Sequence, residues 1–185
     1  MNNPTAAEAA ALLARSELLL RSEQVAAAVR RVSAEISAAL GTRYPLTLVV
    51  MRGGIVFAGH LLPLLEFPLD FDYVDASRYG QATAGGRLEW RVDIPRNVHG
   101  RAVLVIDDIL DEGHTLAAIR ARLLDAGAAE VLLAVFADKQ TGRSKPVKAD
   151  FVGTAVPDRY VFGFGMDVSG MWRNLPAVYA LRQDK

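Results

Sequence analysis

The run Arg101-Ala102-Val103-Leu104-Val105-Ile106 is wholly apolar after its first residue, and residues 116–126 follow with helical spacing until Gly127 closes them. Residues 131–137 are then apolar again. An apolar strand without alternation is buried on both faces, as a central parallel strand is. Strand, helix and strand at this spacing form a crossover, and such crossovers are right-handed in nearly all sheets. The chain is therefore expected to be α/β, with a mainly parallel twisted sheet flanked by helices.

Other segments fit that plan. Leu48-Val49-Val50-Met51 is a second apolar run, Gly53-Gly54 the turn after it, and residues 55–65 a helix that Pro63 should kink or stop. Leu69, Phe71 and Tyr73 alternate with Asp70, Asp72 and Val74, which predicts a strand with one face wetter than the other. Residues 77–87 are polar and Gly-rich, the texture of a flexible loop over a site, and residues 90–94 read as strand again. Short strands are expected at residues 151–156, 160–164 and 178–181. Residues 1–41 read as helical and without β signals, with Ser22 as N-cap, Val25, Val29, Val32, Ile36 and Leu40 on one stripe, and Gly41 closing the helix. The 185 residues suit one domain, residues 1–41 a helical segment and 42–185 the core.

Composition narrows the function classes. Lys plus Arg equals Asp plus Glu at 21 each, so no overall field draws the chain to nucleic acid or an anionic membrane. Cysteine is absent, which removes disulfides and thiol chemistry and makes a cytoplasmic location the expectation. No apolar run approaches the roughly 20 residues of a membrane span. Neither a Walker A loop nor a G-x-G-x-x-G turn is present, which excludes the usual nucleotide-hydrolase and dinucleotide sites. His60, His99 and His114 lack metal spacing.

Chemistry is expected where strands of such a sheet end and loops enter helices. After Ile106 the chain reads Asp107-Asp108-Ile109-Leu110-Asp111-Glu112-Gly113-His114-Thr115. Four acids in six positions concentrate negative charge that a Mg²⁺-bound, hydroxyl-bearing ligand would satisfy. Gly113 and Thr115 stand at the mouth of the next helix, where open backbone N–H groups and the helix dipole favour an anion. Acids for hydroxyls beside amides for a phosphate suggest a ribose phosphate.

The stretch VLVIDDILDEGHTL resembles the phosphoribosyl pyrophosphate (PRPP) signature of type I phosphoribosyltransferases. The flanking motifs, from about Leu46 to the C-terminus, are similar to the hypoxanthine-guanine branch of that family. The resemblance implies the type I fold with a small hood region and a flexible loop, and transfer of 5-phosphoribosyl from Mg²⁺-bound PRPP to N9 of a 6-oxopurine. Pyrophosphate and a nucleoside monophosphate would be released. It further implies Mg²⁺ as cofactor and a homodimer or homotetramer, with neither nucleic acid nor membrane as partner.

The family roles carry over as follows. Asp107 and Asp108 resemble the acidic pair on the ribose hydroxyls and metal, and Asp111 the acid that takes the purine N7 proton. The backbone of Asp111, Glu112, Gly113, His114 and Thr115, with the Thr115 hydroxyl, would cradle the 5′-phosphate. Glu112 departs from the usual Ser or Thr and must point outward, since its carboxylate would repel the phosphate. Met51-Arg52-Gly53 matches the loop whose non-proline cis peptide faces the pyrophosphate. Tyr79 matches the aromatic residue of the closing loop, with Arg78 in place of Ser. Lys148 resembles the donor to the 6-oxo group, Tyr160 the residue stacking on the base and Val161 the one offering main-chain groups, with Ile109 also against the purine. Asp167 resembles the carboxylate near the base and a second Mg²⁺, and Arg173 the cation receiving pyrophosphate. Two rivals share the PRPP segment: a xanthine- or pyrimidine-preferring phosphoribosyltransferase, and a PRPP-sensing regulator. An aspartyl-phosphate receiver or phosphatase fits the Gly-x-Thr sequel poorly.

Overall fold

The computed structural model describes residues 4–78 and 88–182, with only the backbone of Ser77, Arg78 and Leu88; Tyr79 and the rest of the Gly-rich loop lie outside the described residues. In chain order the elements are α1 (Ala6–Ala14), β1 (Ser16–Leu20), α2 (Ser22–Leu40), β2 (Leu46–Met51), α3 (Gly54–Leu61), β3 (Asp70–Arg78), β4 (Leu88–Val92), β5 (Ala102–Leu110), α4 (His114–Asp125), β6 (Glu130–Gln140), β7 (Phe151–Pro157), β8 (Val161–Phe162) and β9 (Val178–Leu181). Among the described residues two sheets form. The larger has the order β4-β3-β2-β5-β6-β7 and the smaller β1-β9-β8.

In the larger sheet β3, β2, β5, β6 and β7 run parallel, and β4 closes the edge antiparallel to β3. The apolar runs that predicted central strands are buried throughout: Leu48, Val103, Val105, Ile106, Leu133 and Val135 are at most 1% exposed. Two cores lie on its two faces. Val49, Leu104 and Ile106 meet α2 and α3 on one side, through Val25, Val29, Val32, Ile36, Leu40, Phe57 and Leu61. Val50, Val105 and Leu133 meet Leu116, Ile119 and Leu123 of α4 on the other. The five-residue stripe of α2 is buried as its spacing required, each such side chain contributing about 1.5–3 kcal/mol. Pro63 sits in a 3-10 turn, Leu62–Leu64, that ends α3 as expected of a residue without an N–H. Gly127 follows α4 at φ +87°, the left-handed turn glycine accepts.

Three expectations need correction. Residues 1–41 are not wholly helical, because β1 interrupts them and pairs antiparallel with β9. The Ser16 hydroxyl donates to the Leu12 carbonyl at 2.8 Å where α1 ends, and Leu18-Leu19-Leu20 then finds its partner 160 residues away, beyond any local pattern. The N-cap of α2 is Arg21, one residue before Ser22. On β3 the polarity is reversed, with Phe71 60% and Tyr73 42% exposed while Val74 and Ala76 are buried. Tyr73 is level with Val49 on the α3 face, but α3 packs chiefly over β2 and β5; Val74 faces the α4 core. The small sheet pairs β8 antiparallel with β9, and Gly163 and Met166 form an isolated antiparallel bridge just after β8.

Candidate active site

The chain passes from β2 to β3 on one side of β2 and later adds β5 on the other, so the strand order switches between β2 and β5. A crevice opens there, at the carboxyl ends of the strands, where open α/β sheets bind ligands. It is a cavity of about 720 Å³. Met51, Arg52 and Gly53 line it from β2, Asp107, Asp108, Ile109, Asp111, Glu112, Gly113, His114 and Thr115 from β5 and the start of α4, and Asp167 and Arg173 from the segment between β8 and β9. The sequence motifs of three distant segments thus converge. The Met51–Arg52 peptide is cis.

Strand β5 extends through the acid pair, which is deeper than a turn would place it. Asp107 and Asp108 are 9% and 7% exposed. Burial pushes the Asp107 carboxyl well above the usual carboxylate range, and the charge of Asp108 adds to the push. Burial raises Asp108 as well, against the opposing pull of a hydrogen bond from Asp107 and of Arg173. Arg173 is 3.6 Å from Asp108, 2.5 Å from Asp167, and donates to the Gly165 carbonyl at 2.6 Å. One guanidinium therefore serves two carboxylates, Asp108 and Asp167. A raised native value means that the native state holds a proton the unfolded chain gives up. That stability is complete below the unfolded value near 4 and is lost as pH rises through the native one. Asp107→Asn is expected to unfold in urea at about 1–3 kcal/mol higher stability than the parent at pH 8, with the gap narrowing at pH 5.

Backbone close to the pair leaves no room for side chains. A Cβ on Gly53 would lie 2.2 Å from Asp108 Oδ2, and one on Gly165, at φ +101°, 2.4 Å from the Gly53 carbonyl. Gly113 takes φ +82° as the N-cap of α4, and with His114 and Thr115 it lines the cavity at the helix start, where backbone N–H groups have no intrahelical partner. Glu112 is exposed and lines the cavity.

Asp111, 48% exposed at its side chain, pairs with Lys139 of β6 at 2.6 Å. Lys145 donates to Asp138 at 2.5 Å and to the carbonyls of Leu110 and Lys139 at 2.7 Å each, tying the ends of β5 and β6 together. Neither lysine was expected at the site. The signal was there, since Lys139 lies two residues past the apolar run of β6, at the carboxyl end where such sheets gather function.

Lys148 is exposed and lines a neighbouring cavity of about 440 Å³, which shares Lys139, Thr141, Arg143, Ser144 and Lys145 with the larger one. Tyr160 is 52% exposed and Val161 is buried in β8, paired with Ala180; neither lines either cavity. Among the described residues no three acidic or histidine side chains converge as a metal cage. The donors on offer are carboxylate oxygens, Asp107, Asp108 and Asp167, suited to a hard cation that brings further oxygen ligands with its substrate. No helix among the described residues is long and apolar enough to cross a membrane.

Comparison with known proteins agrees with this geometry. Residues 16–169 match the phosphoribosyl transferase domain family, so the match begins at β1, ahead of Leu46. The chain is 32% identical over 167 residues to the hypoxanthine-guanine phosphoribosyltransferase of Bacillus subtilis, covering 90% of this chain and 93% of that one. A crystal structure of a hypoxanthine phosphoribosyltransferase from Staphylococcus aureus superposes with a TM-score of 0.84 at 26% identity, covering 90% and 91% of the two chains. For a hypoxanthine-guanine phosphoribosyltransferase from Bacillus anthracis the values are 0.83 and 27%, with 90% and 98% covered. A sequence and a fold shared over nine-tenths of the chain, with the acid pair and the start of α4 lining one cavity, make this protein a member of the hypoxanthine-guanine phosphoribosyltransferase family.

Proposed function

We propose that the chain is a purine-salvage enzyme that moves the 5-phosphoribosyl group of PRPP to N9 of hypoxanthine or guanine, giving IMP or GMP and pyrophosphate. The observation that carries this reading is the buried Asp107–Asp108 pair lining one cavity with Gly113, His114 and Thr115 at the start of α4. The whole of residues 1–185 would act as one catalytic unit, with β1, β8 and β9 as the hood.

In this reading the amides of Gly113, His114 and Thr115 and the Thr115 hydroxyl hold the 5′-phosphate, and the acid pair receives the ribose hydroxyls. As the bond at C1′ breaks, positive charge develops on the sugar, and the two carboxylates beneath it stabilise that charge. Asp107 and Asp108, with Asp167 at the same cavity, are the carboxylates that would hold Mg²⁺ brought in with the substrate's oxygens, and the ion would supply neutralisation of pyrophosphate charge. The backbone of Met51 to Gly53 and the fork of Arg173 bind the leaving group, for which Arg173 must turn away from Asp167. Asp111 takes the N7 proton of the base. Lys148, Tyr160, Val161 and Ile109 are proposed to recognise the purine, and Tyr79 to close over the reaction centre.

The test incubates the protein with Mg²⁺, PRPP and each of hypoxanthine, guanine, xanthine, adenine and uracil, and separates the products by chromatography. IMP or GMP is expected. A nucleotide from xanthine or uracil alone would replace the substrate assignment, and PRPP binding without turnover of any base would favour the regulator.

A homodimer or homotetramer is part of the proposal. Phe71 and Tyr73, exposed on the part of β3 that α3 leaves open, are the apolar side chains a second copy would cover. Phe71→Glu is expected to lower the mass measured by light scattering to that of one chain; an unchanged mass would take β3 out of the contact.

A further inference from the structure

We propose that α1 braces the cation that receives pyrophosphate: the Ala9 carbonyl fixes Trp172, and Trp172 is the positioning residue for Arg173. The inference rests on the reading of Arg173 as the group that binds the leaving pyrophosphate. Between β8 and β9 the chain doubles back on itself. Phe164 donates to the Leu175 carbonyl at 2.8 Å, Gly165 to that of Arg173 at 2.9 Å, and Val168 and Met171 exchange bonds at 3.0 Å around a two-residue turn. Arg173 stands opposite Gly165 in this hairpin, and its guanidinium returns a bond to the Gly165 carbonyl at 2.6 Å.

The three non-glycine residues at positive φ among the described residues all lie here: Phe164 at +50°, Ser169 at +52° and Trp172 at +67°. Such residues persist only where the surrounding structure over-determines them, and they cluster at functional sites. For two of them the reason is local. Phe164 is 1% exposed, with its ring centroid 4.5 Å from that of Phe136, so the core holds it. Ser169 shares the turn with Gly170 at +80°, and a two-residue hairpin turn demands positive φ at both positions. Trp172 is in neither place. It is half-buried between the paired residues Met171 and Arg173, and its indole Nε1 donates out of the hairpin to the Ala9 carbonyl of α1 at 2.9 Å.

None of the residues of α1 is buried, and the helix lies ahead of residues 16–169, the span matched by the family. Nine residues of helix are marginal in water by themselves. A capping box of Thr5 with Glu8 starts α1, the Ser16 hydroxyl holds the Leu12 carbonyl near its end, and Trp172 holds its middle. Helix and hairpin thus stabilise each other through one donor. A change of φ at residue 172 swings Arg173, whose planar fork must be aimed to meet two phosphate oxygens at once.

Two variants of the full chain cut the link from opposite ends. Trp172→Phe keeps an aromatic ring and removes the donor. Ala10→Pro breaks α1, where no buried residue is at stake, so it carries the test if the first variant does not fold. In the reverse reaction, IMP with pyrophosphate, each is expected to raise the KM for pyrophosphate about 5-fold, with the KM for IMP within about 2-fold. Combined, they should add no more than about 2-fold to either alone, and Trp172→Phe should add less than about 2-fold to Arg173→Met. An unchanged pyrophosphate KM in either variant that folds would overturn the proposal. So would equal rises for IMP and pyrophosphate, the mark of a general loss of structure, or effects that multiply in the Arg173→Met background. If Arg173→Met itself leaves the pyrophosphate KM unchanged, the reading of Arg173 fails, and the brace with it.

Discussion

Asp111→Asn is expected to lower kcat about 100-fold while the KM for PRPP moves by less than about 3-fold, since a positioned general base contributes roughly 10²–10⁴. The amide copies the shape of the carboxylate and cannot act as a base. Its stability cost should be small, because the Lys139–Asp111 pair is half open to solvent on the acid side. Steady-state kinetics with hypoxanthine, beside a thermal melt, checks both parts. A variant as fast as the parent would remove Asp111 from proton transfer, and one that melts far lower would give it a structural role.

Gly53→Ala is expected to be nearly as damaging by another route. The added methyl would fall within 2.6 Å of all three atoms of the Asp108 carboxyl group. That carboxylate is buried, adjoins Asp107 and faces Arg173, so the loop or the acid must shift by about an ångström. A displacement of that size at a reacting centre costs on the order of 100-fold, and kcat/KM for PRPP should fall accordingly. Titration of PRPP by calorimetry separates lost binding from lost chemistry. Binding and turnover at the parent level would show that the loop yields freely.

The legible part of the fold and site was the part written in local order. The runs at β2, β5 and β6 are apolar because each strand is covered on both faces, and that burial leaves an uninterrupted pattern. The acid pair, Gly113 and Thr115 are close in sequence because one strand end and one helix start hold them. Strand β1 was illegible because its partner β9 lies at the other end of the chain, and nothing in Leu18-Leu19-Leu20 distinguishes a hood strand from a helical face. The reversed polarity of β3 had the same origin, since the reach of α3 across the sheet decides which face is covered.

From its sequence alone this chain determined a parallel α/β sheet and the meeting of acids with a helix start at its carboxyl end, because each depends on residues within one strand–turn–helix unit. Tertiary structure decided how charge is shared among those acids. Parallel register set Lys139 against Asp111, and Lys145 across the ends of β5 and β6. The hood brought Arg173 and Asp167 to the buried pair from 60 residues away. Such pairings depend on distances between segments that only folding brings together, and in a partly dry cleft those distances decide which carboxylate is neutralised and which remains to act.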